Sequence, residues 1–180
     1  APIAINALFI AQSFPKSTPQ RDPDIFHRVM VVHMSIAIDC KGDTDVDYHH
    51  TVEDIGIALG RAFREALGDK KGIYRYGSML LPMDEALILT AVDIGGRSSV
   101  NFDVEIPAQK VGDFDTELVK EFVLALAREM GLTVHIRMLA GENTHHIIEG
   151  IFKSLGRSLR QACAIEEEYA DEIPSTKGVL

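Results

Sequence analysis

The chain has 180 residues, 46% of them hydrophobic, 25% charged and 7% aromatic, a balance that suits one domain or two half-domains sharing a core and excludes a disordered or coiled-coil chain. Lys and Arg number 18 against 27 Asp and Glu, a formal charge of −9, which speaks against nucleic acid as a partner. The apolar opening from Ala1 to Phe14 is too short to cross a bilayer and lacks a basic leader, and Cys40 and Cys163 have no CxxC spacing; a cytoplasmic protein with no membrane partner is expected.

The leader, residues 1–34, carries Pro2, Pro15, Pro19 and Pro23, which interrupt regular structure, and leaves room for one short helix over Asp24 to Met34. Ser35 to Cys40 alternates like a half-buried strand. A polar loop, Lys41 to Asp47, then delivers His49-His50 at the head of a helix in which Ile55, Leu59, Ala62 and Phe63 keep helical spacing and which Gly68 stops. Ala86 to Ile94 and Ser98 to Ile106 read as two strands joined at Gly95-Gly96-Arg97, a hairpin or tight turn. Leu118, Phe122 and Leu126 recur at fours within a helix over Asp115 to Met130, ended by Gly131. Thr133 to Met138 is a further strand, and the loop Gly141 to Thr144 leads to a second helix headed by His145-His146.

These two His helices are copies. At an offset of 96 residues His49, His50, Glu53, Ile55, Leu59, Gly60, Arg61, Arg64 and Ala66 match His145, His146, Glu149, Ile151, Leu155, Gly156, Arg157, Arg160 and Ala162, which marks an internal duplication. The expected fold is α+β, two duplicated half-domains with helices packed on one face of a sheet. The halves are residues 35–82, a shortened first half, and residues 83–180.

Positions i and i+4 share a helix face, so His49 with Glu53, and His145 with Glu149, can each grip one ion, while His50 and His146 point elsewhere and serve another. A single H-x-x-x-E pair is usually a surface ion pair; two equivalent copies favour a two-metal site built across copies or subunits. Imidazole with carboxylate suits Mn, Fe, Co, Ni or Zn rather than Mg or Ca. Asp45, Asp47 and Glu142 are candidates to orient the imidazoles. Arg75, Arg97, Lys153 and Lys177, read as lying at turns or helix edges, can clamp a phosphate. Arg97 follows two glycines that allow close approach, and Pro174-Ser175-Thr176-Lys177-Gly178 has the makings of an anion nest. No GxGxxG or P-loop supports a nucleotide.

The segments His49-His50-Thr51-Val52-Glu53-Asp54, Asn143 to Glu149, Gly72 to Gly77, Pro82 to Leu87, Gly95-Gly96-Arg97, Lys110-Val111-Gly112 and Pro174 to Val179 closely resemble imidazoleglycerol-phosphate dehydratase of histidine biosynthesis, in order from about Ser35 to Leu180. The resemblance implies a duplicated fold like domain 2 of ribosomal protein S5, a homo-oligomer of 24 subunits, and two Mn2+ ions at each site between subunits. It implies metal ligation by His49, His50, Glu53, His145, His146 and Glu149, with Glu121 as a further ligand. Arg75, Arg97, Lys153, Ser175 and Lys177 fall on its substrate- and phosphate-binding positions; for the proton-moving step Glu53, Glu149 and a metal-bound water are the candidates. The expected reaction turns D-erythro-imidazole-glycerol phosphate into imidazole-acetol phosphate and water. His135 is read as a structural histidine on its strand. The leader matches neither the family's first strand nor its Asp-His-Met helix, so the competing expectation is a metal-bound oligomeric scaffold without turnover.

Overall fold

The computed structural model describes residues 4–10, 35–42 and 47–180; the short helix expected over Asp24 to Met34 lies outside them. In chain order the elements are β1 (Ala4–Ile10), β2 (Ser35–Lys41), α1 (His49–Leu67), β3 (Tyr76–Met83), β4 (Ala86–Asp93), β5 (Ser99–Asp103), β6 (Lys110–Val111), β7 (Phe114–Asp115), α2 (Leu118–Met130), β8 (Thr133–Ala140) and α3 (Thr144–Cys163), followed by a 3-10 turn at Glu167–Tyr169. The fold is α+β, and each copy of the repeat has its expected strand and its His-headed helix.

The helices follow their apolar spacing and stop where glycine allows. Gly68 closes α1 at φ 51°, and Gly131 closes α2 in the left-handed region at φ 70°, ψ 45°, conformations that strain any residue with a Cβ. The larger sheet runs β3-β4-β8-β5. Ala86, Ile88, Thr90 and Val92 of β4 turn every second side chain inward, as period-two geometry requires. With Val134 and Ile136 of β8 they meet Val119, Val123 and Leu126 of α2 and Ile147, Ile151 and Leu155 of α3 in one core. Complete burial of side chains such as Ile88, Ile147 and Ile151 contributes about 1.5–3 kcal/mol each. Within this layer Thr90 and Ser154 share a buried hydroxyl contact of 2.7 Å, the Ser154 hydroxyl donates to the Ile151 carbonyl (3.0 Å), and Ser158 donates to the Thr90 carbonyl (3.2 Å).

Helix α1 packs on the β1–β2 antiparallel pair and on α2. Gly56 and Gly60 make the second contact possible. A Cβ on Gly60 would stand 2.7 Å from the Glu129 Cβ and 2.9 Å from the Leu126 carbonyl oxygen, and one on Gly56 would stand 2.9 Å from the Phe122 carbonyl oxygen.

Two expectations are corrected, and one strand is added. The strands β4 and β5 do not form a hairpin through Gly95-Gly96-Arg97: β8 lies between them, antiparallel to β4 and parallel to β5. The segment β5–α2–β8 is a crossover unit, and its returning strand takes the place beside β5; turn residues report a reversal of the chain but not which strand becomes the neighbour. Strand β3 escaped the periodicity because Gly77 and Pro82 break its pattern. Gly77 is small because the backbone of Ser158 presses on it, and Pro82 is tolerated because β3 is an edge strand. Helix α2 starts at Leu118 rather than Asp115, since Phe114–Asp115 pairs with Lys110–Val111 first.

Candidate metal and active site

The two His pairs stand on matched helix ends. Asn143 caps α3 by accepting from the backbone N–H of His145 (2.9 Å) and of His146 (3.3 Å). At the equivalent place before α1, the Asp47 carboxylate accepts from the backbone N–H of His49 at 2.9 Å. The duplication therefore keeps an acceptor two residues before each first histidine, but only Asn143 is a helix N-cap, accepting from two amides, while the N-cap of α1 is Tyr48, which makes no side-chain cap bond.

Around α3, His145 Nε2 lies 3.5 Å from Glu149, its i+4 neighbour, and Lys153 Nζ lies 2.7 Å from the same carboxylate. The lysine's hydrogen bond holds Glu149 below the usual carboxylate range. His146 takes a different partner: its Nδ1 is 2.7 Å from Glu85 Oε2, while its Nε2 is 3.5 Å from Asp84. Glu85 also accepts from the backbone N–H of Asn143 (2.8 Å) and Glu142 (3.3 Å). Pressed by these donors, His146 foremost, the Glu85 carboxyl falls to about 2, and the same contact raises His146. Asp84 and Glu85 form the two-residue turn between β3 and β4, where Met83 pairs with Ala86 and Asp84 adopts φ 48°.

The expected orienting residues are thus reassigned. Asp47 serves the helix backbone, Glu142 offers its N–H rather than its carboxylate, and Asp45 lies outside the described residues. The carboxylate within hydrogen-bond distance of the His146 ring is Glu85. Its only sequence signal was membership of the Pro82-to-Leu87 segment, because no local spacing links residue 85 to residue 146.

Around α1, the Glu53 carboxylate is 3.4 Å from Arg128 of α2, and the His49 and His50 rings stand edge to face with centroids 5.9 Å apart. Gly56 lies against Phe122 and Gly60 against Leu126, so α1 and α2 run in the same sense and bring Glu121, in the first turn of α2, to the end that carries His49 and His50. Among the described residues no three His, Cys, Asp or Glu side chains converge closely enough to hold an ion. The imidazole and carboxylate groups of each His helix could hold a transition metal only with further donors beside them.

The expected phosphate group separates in the same way. Arg75, at φ 68°, pairs with both oxygens of Asp93 (2.7 and 3.2 Å), donates to the Pro174 carbonyl (2.9 Å) and covers the Tyr76 ring. This brings Arg75 to the C-terminal segment, where the Lys177 N–H donates to Ser175 Oγ at 3.2 Å. The turn bearing Arg97 is seated beside it: Gly96 lies against Leu180 and against Gly131, and the Arg97 carbonyl accepts from Thr133 (3.3 Å). Lys153 is elsewhere. It sits mid-helix in α3, not at an edge, with Nζ 3.7 Å from Met83 Sδ, whereas Arg75 adjoins Tyr76 at the opposite end of β3. Eight residues of strand separate the two ends by roughly 23 Å. The His145/His146 end and the Arg75/Arg97/tail end cannot meet one small substrate within one chain. His135 is exposed on β8, between buried Val134 and Ile136, and so faces away from the helices rather than into the core.

The sequence model of imidazoleglycerol-phosphate dehydratase matches residues 26–159, a span that contains both His helices and the β3–β4 turn. The chain belongs to the imidazoleglycerol-phosphate dehydratase family. The family's protein from Desulforamulus reducens is 58% identical over 147 residues, 82% of this chain and 74% of that one. That of Dinoroseobacter shibae is 56% identical over 147 residues, 82% of this chain and 75% of its own. Two solved structures of the family share the fold. The crystal structure from Staphylococcus aureus subsp. aureus N315 has a TM-score of 0.69 and 45% identity, covering 74% of this chain and 75% of that one. The Pyrococcus furiosus dehydratase in complex with (S)-C348 has a TM-score of 0.71 and 44% identity, covering 82% of this chain and 78% of that one. Among the described residues no helix is long and apolar enough to cross a membrane.

Proposed function

We propose that this chain is a Mn2+-dependent dehydratase that removes water from D-erythro-imidazole-glycerol phosphate to give imidazole-acetol phosphate, working in the cytoplasm as a large homo-oligomer of 24 subunits. Family membership supports the reaction class. The observation that supports the rest is the twin His-His-x-x-Glu helix ends, no third ligating side chain joining either among the described residues, with the His145/His146 end a strand length away from Arg75, Arg97 and the C-terminal segment. Such parts make a site only when copies are combined. His49 with Glu53 and His145 with Glu149 would hold one class of position, His50, His146 and Glu121 the other. Two divalent cations held there would supply Lewis acidity to the imidazole ring of the substrate.

The chain's own residues do the remainder. Arg97, Ser175 and Lys177, with Arg75 and a Lys153 contributed from another copy, hold the phosphate and fix the side chain for elimination. Glu53 or Glu149 takes the proton from the carbon bearing the second hydroxyl as hydroxide leaves the carbon next to the ring. The resulting enol returns to the keto form, so that the net change is the loss of one water.

The test is dehydration of imidazole-glycerol phosphate with added Mn2+, together with the native particle mass and metal content per chain. Turnover in a very large particle with two ions per chain is expected, and His145→Ala abolishes it. A metal-replete protein without turnover, in which His145→Ala alters only particle size and melting temperature, overturns the enzymatic reading in favour of the scaffold.

A further inference from the structure

We propose that Glu85, at the β3–β4 turn, is a positioning residue that sets the tautomer of His146 and locks its ring to the start of α3. The assignment deepens the metal reading above and rests on it. A neutral imidazole carries one N–H, and an ionised carboxylate can only accept. With Glu85 Oε2 2.7 Å from Nδ1, the ring proton resides on Nδ1, and the lone pair is left on Nε2. That second nitrogen is 3.5 Å from the Asp84 carboxylate, so a cation received on this side of the ring would have both groups beside it.

The other oxygen of Glu85 makes this arrangement rigid. Oε1 accepts from the backbone N–H of Asn143 at 2.8 Å and of Glu142 at 3.3 Å, and Asn143 is the residue whose side chain caps the backbone of His145 and His146. One carboxylate thus ties the imidazole, the loop before α3 and the capping residue to the tip of the β3–β4 hairpin. Removing the tie frees both the ring's rotation and its proton placement. Partners of this kind, one bond away from the metal, typically change metal affinity by about 10–100-fold.

Glu85→Gln tests the assignment, because it keeps the shape but cannot serve both contacts with acceptors. If the Gln oxygen faces the loop amides, its NH2 meets Nδ1 and drives the proton to Nε2. The readouts are 15N spectra of histidine-labelled, metal-free protein at alkaline pH, where His146 is neutral, and MnCl2 titration of the same samples. Wild-type protein is expected to show the Nδ1–H tautomer at His146, identified by its loss in His146→Asn. Glu85→Gln is expected to move it toward Nε2–H and to weaken Mn2+ binding by about 10–100-fold. A purely structural role would lower the melting temperature without moving the tautomer. Retention of the wild-type tautomer in Glu85→Gln, or an unchanged Mn2+ affinity once the tautomer has switched, overturns the proposal. If wild-type protein takes up no Mn2+, the metal reading fails, and the tautomer comparison alone decides whether Glu85 sets the ring.

Discussion

The repeated glycine, Gly60 in α1 and Gly156 in α3, gives a prediction of opposite sign at two positions that the sequence makes equivalent. Alanine in place of glycine in a helix interior is favourable by about 0.8–1.0 kcal/mol. At Gly60 the new methyl would sit 2.7 Å from the Glu129 Cβ, 2.9 Å from the Leu126 carbonyl oxygen and 3.2 Å from the Met130 nitrogen. Two of these three are backbone atoms, so no rotamer change relieves them, and α1 must move away from α2. Overpacking of that kind costs about 2–3 kcal/mol, from the upper part of the usual range. After the propensity gain, Gly60→Ala is expected to lose about 1–2 kcal/mol, or about 2–8 °C of melting temperature for a domain of this size. A Cβ on Gly156 meets nothing within 4 Å among the described residues, so Gly156→Ala should gain about 0.5–1 kcal/mol, or about 1–4 °C. Thermal unfolding by circular dichroism at matched protein concentration measures both. Equal shifts of the same sign would refute the claim that α1–α2 contact, rather than the repeat itself, demands glycine at position 60.

Three further outcomes follow from single contacts. Asn143→Ala should lose about 1 kcal/mol and speed amide exchange at His145 and His146, whereas Asn143→Asp retains the cap; hydrogen exchange read by mass spectrometry separates the two. Ser154→Ala strips the buried Thr90 hydroxyl of its acceptor and should lower stability in urea by about 1–3 kcal/mol, a loss that Thr90→Val in the same chain largely restores. Glu129 is held below its ordinary value chiefly by Arg61 across the α1–α2 seam. Because its folded-state pKa is depressed, the stability it adds is present above about pH 4.5 and is lost as the pH falls through the lowered value. Glu129→Gln should therefore flatten part of the acid limb of a stability–pH profile and leave the alkaline limb unchanged.

The sequence by itself determined what depends on neighbours a few residues away. The helical spacing around Leu59 and Leu155, the glycine stops at Gly68 and Gly131, and the copied His-His-x-x-Glu heads are local features. Each is set by backbone geometry within one or two turns, and the structure has them where the spacing put them. The family was legible for the same reason, since its segments are short and contiguous.

Only the tertiary structure decided which strands lie side by side, because β8 reaches its place between β4 and β5 after a helical crossover that no turn residue announces. It also decided that Glu85 meets His146 across sixty-one positions of sequence, and that Lys153 and Arg75, both cations suited to phosphate, stand at opposite ends of β3. Contacts of that range are fixed by how layers pack on one another. Local pattern carries no information about them, and for that reason the separation of Lys153 from Arg75 became apparent from the fold rather than from the chain.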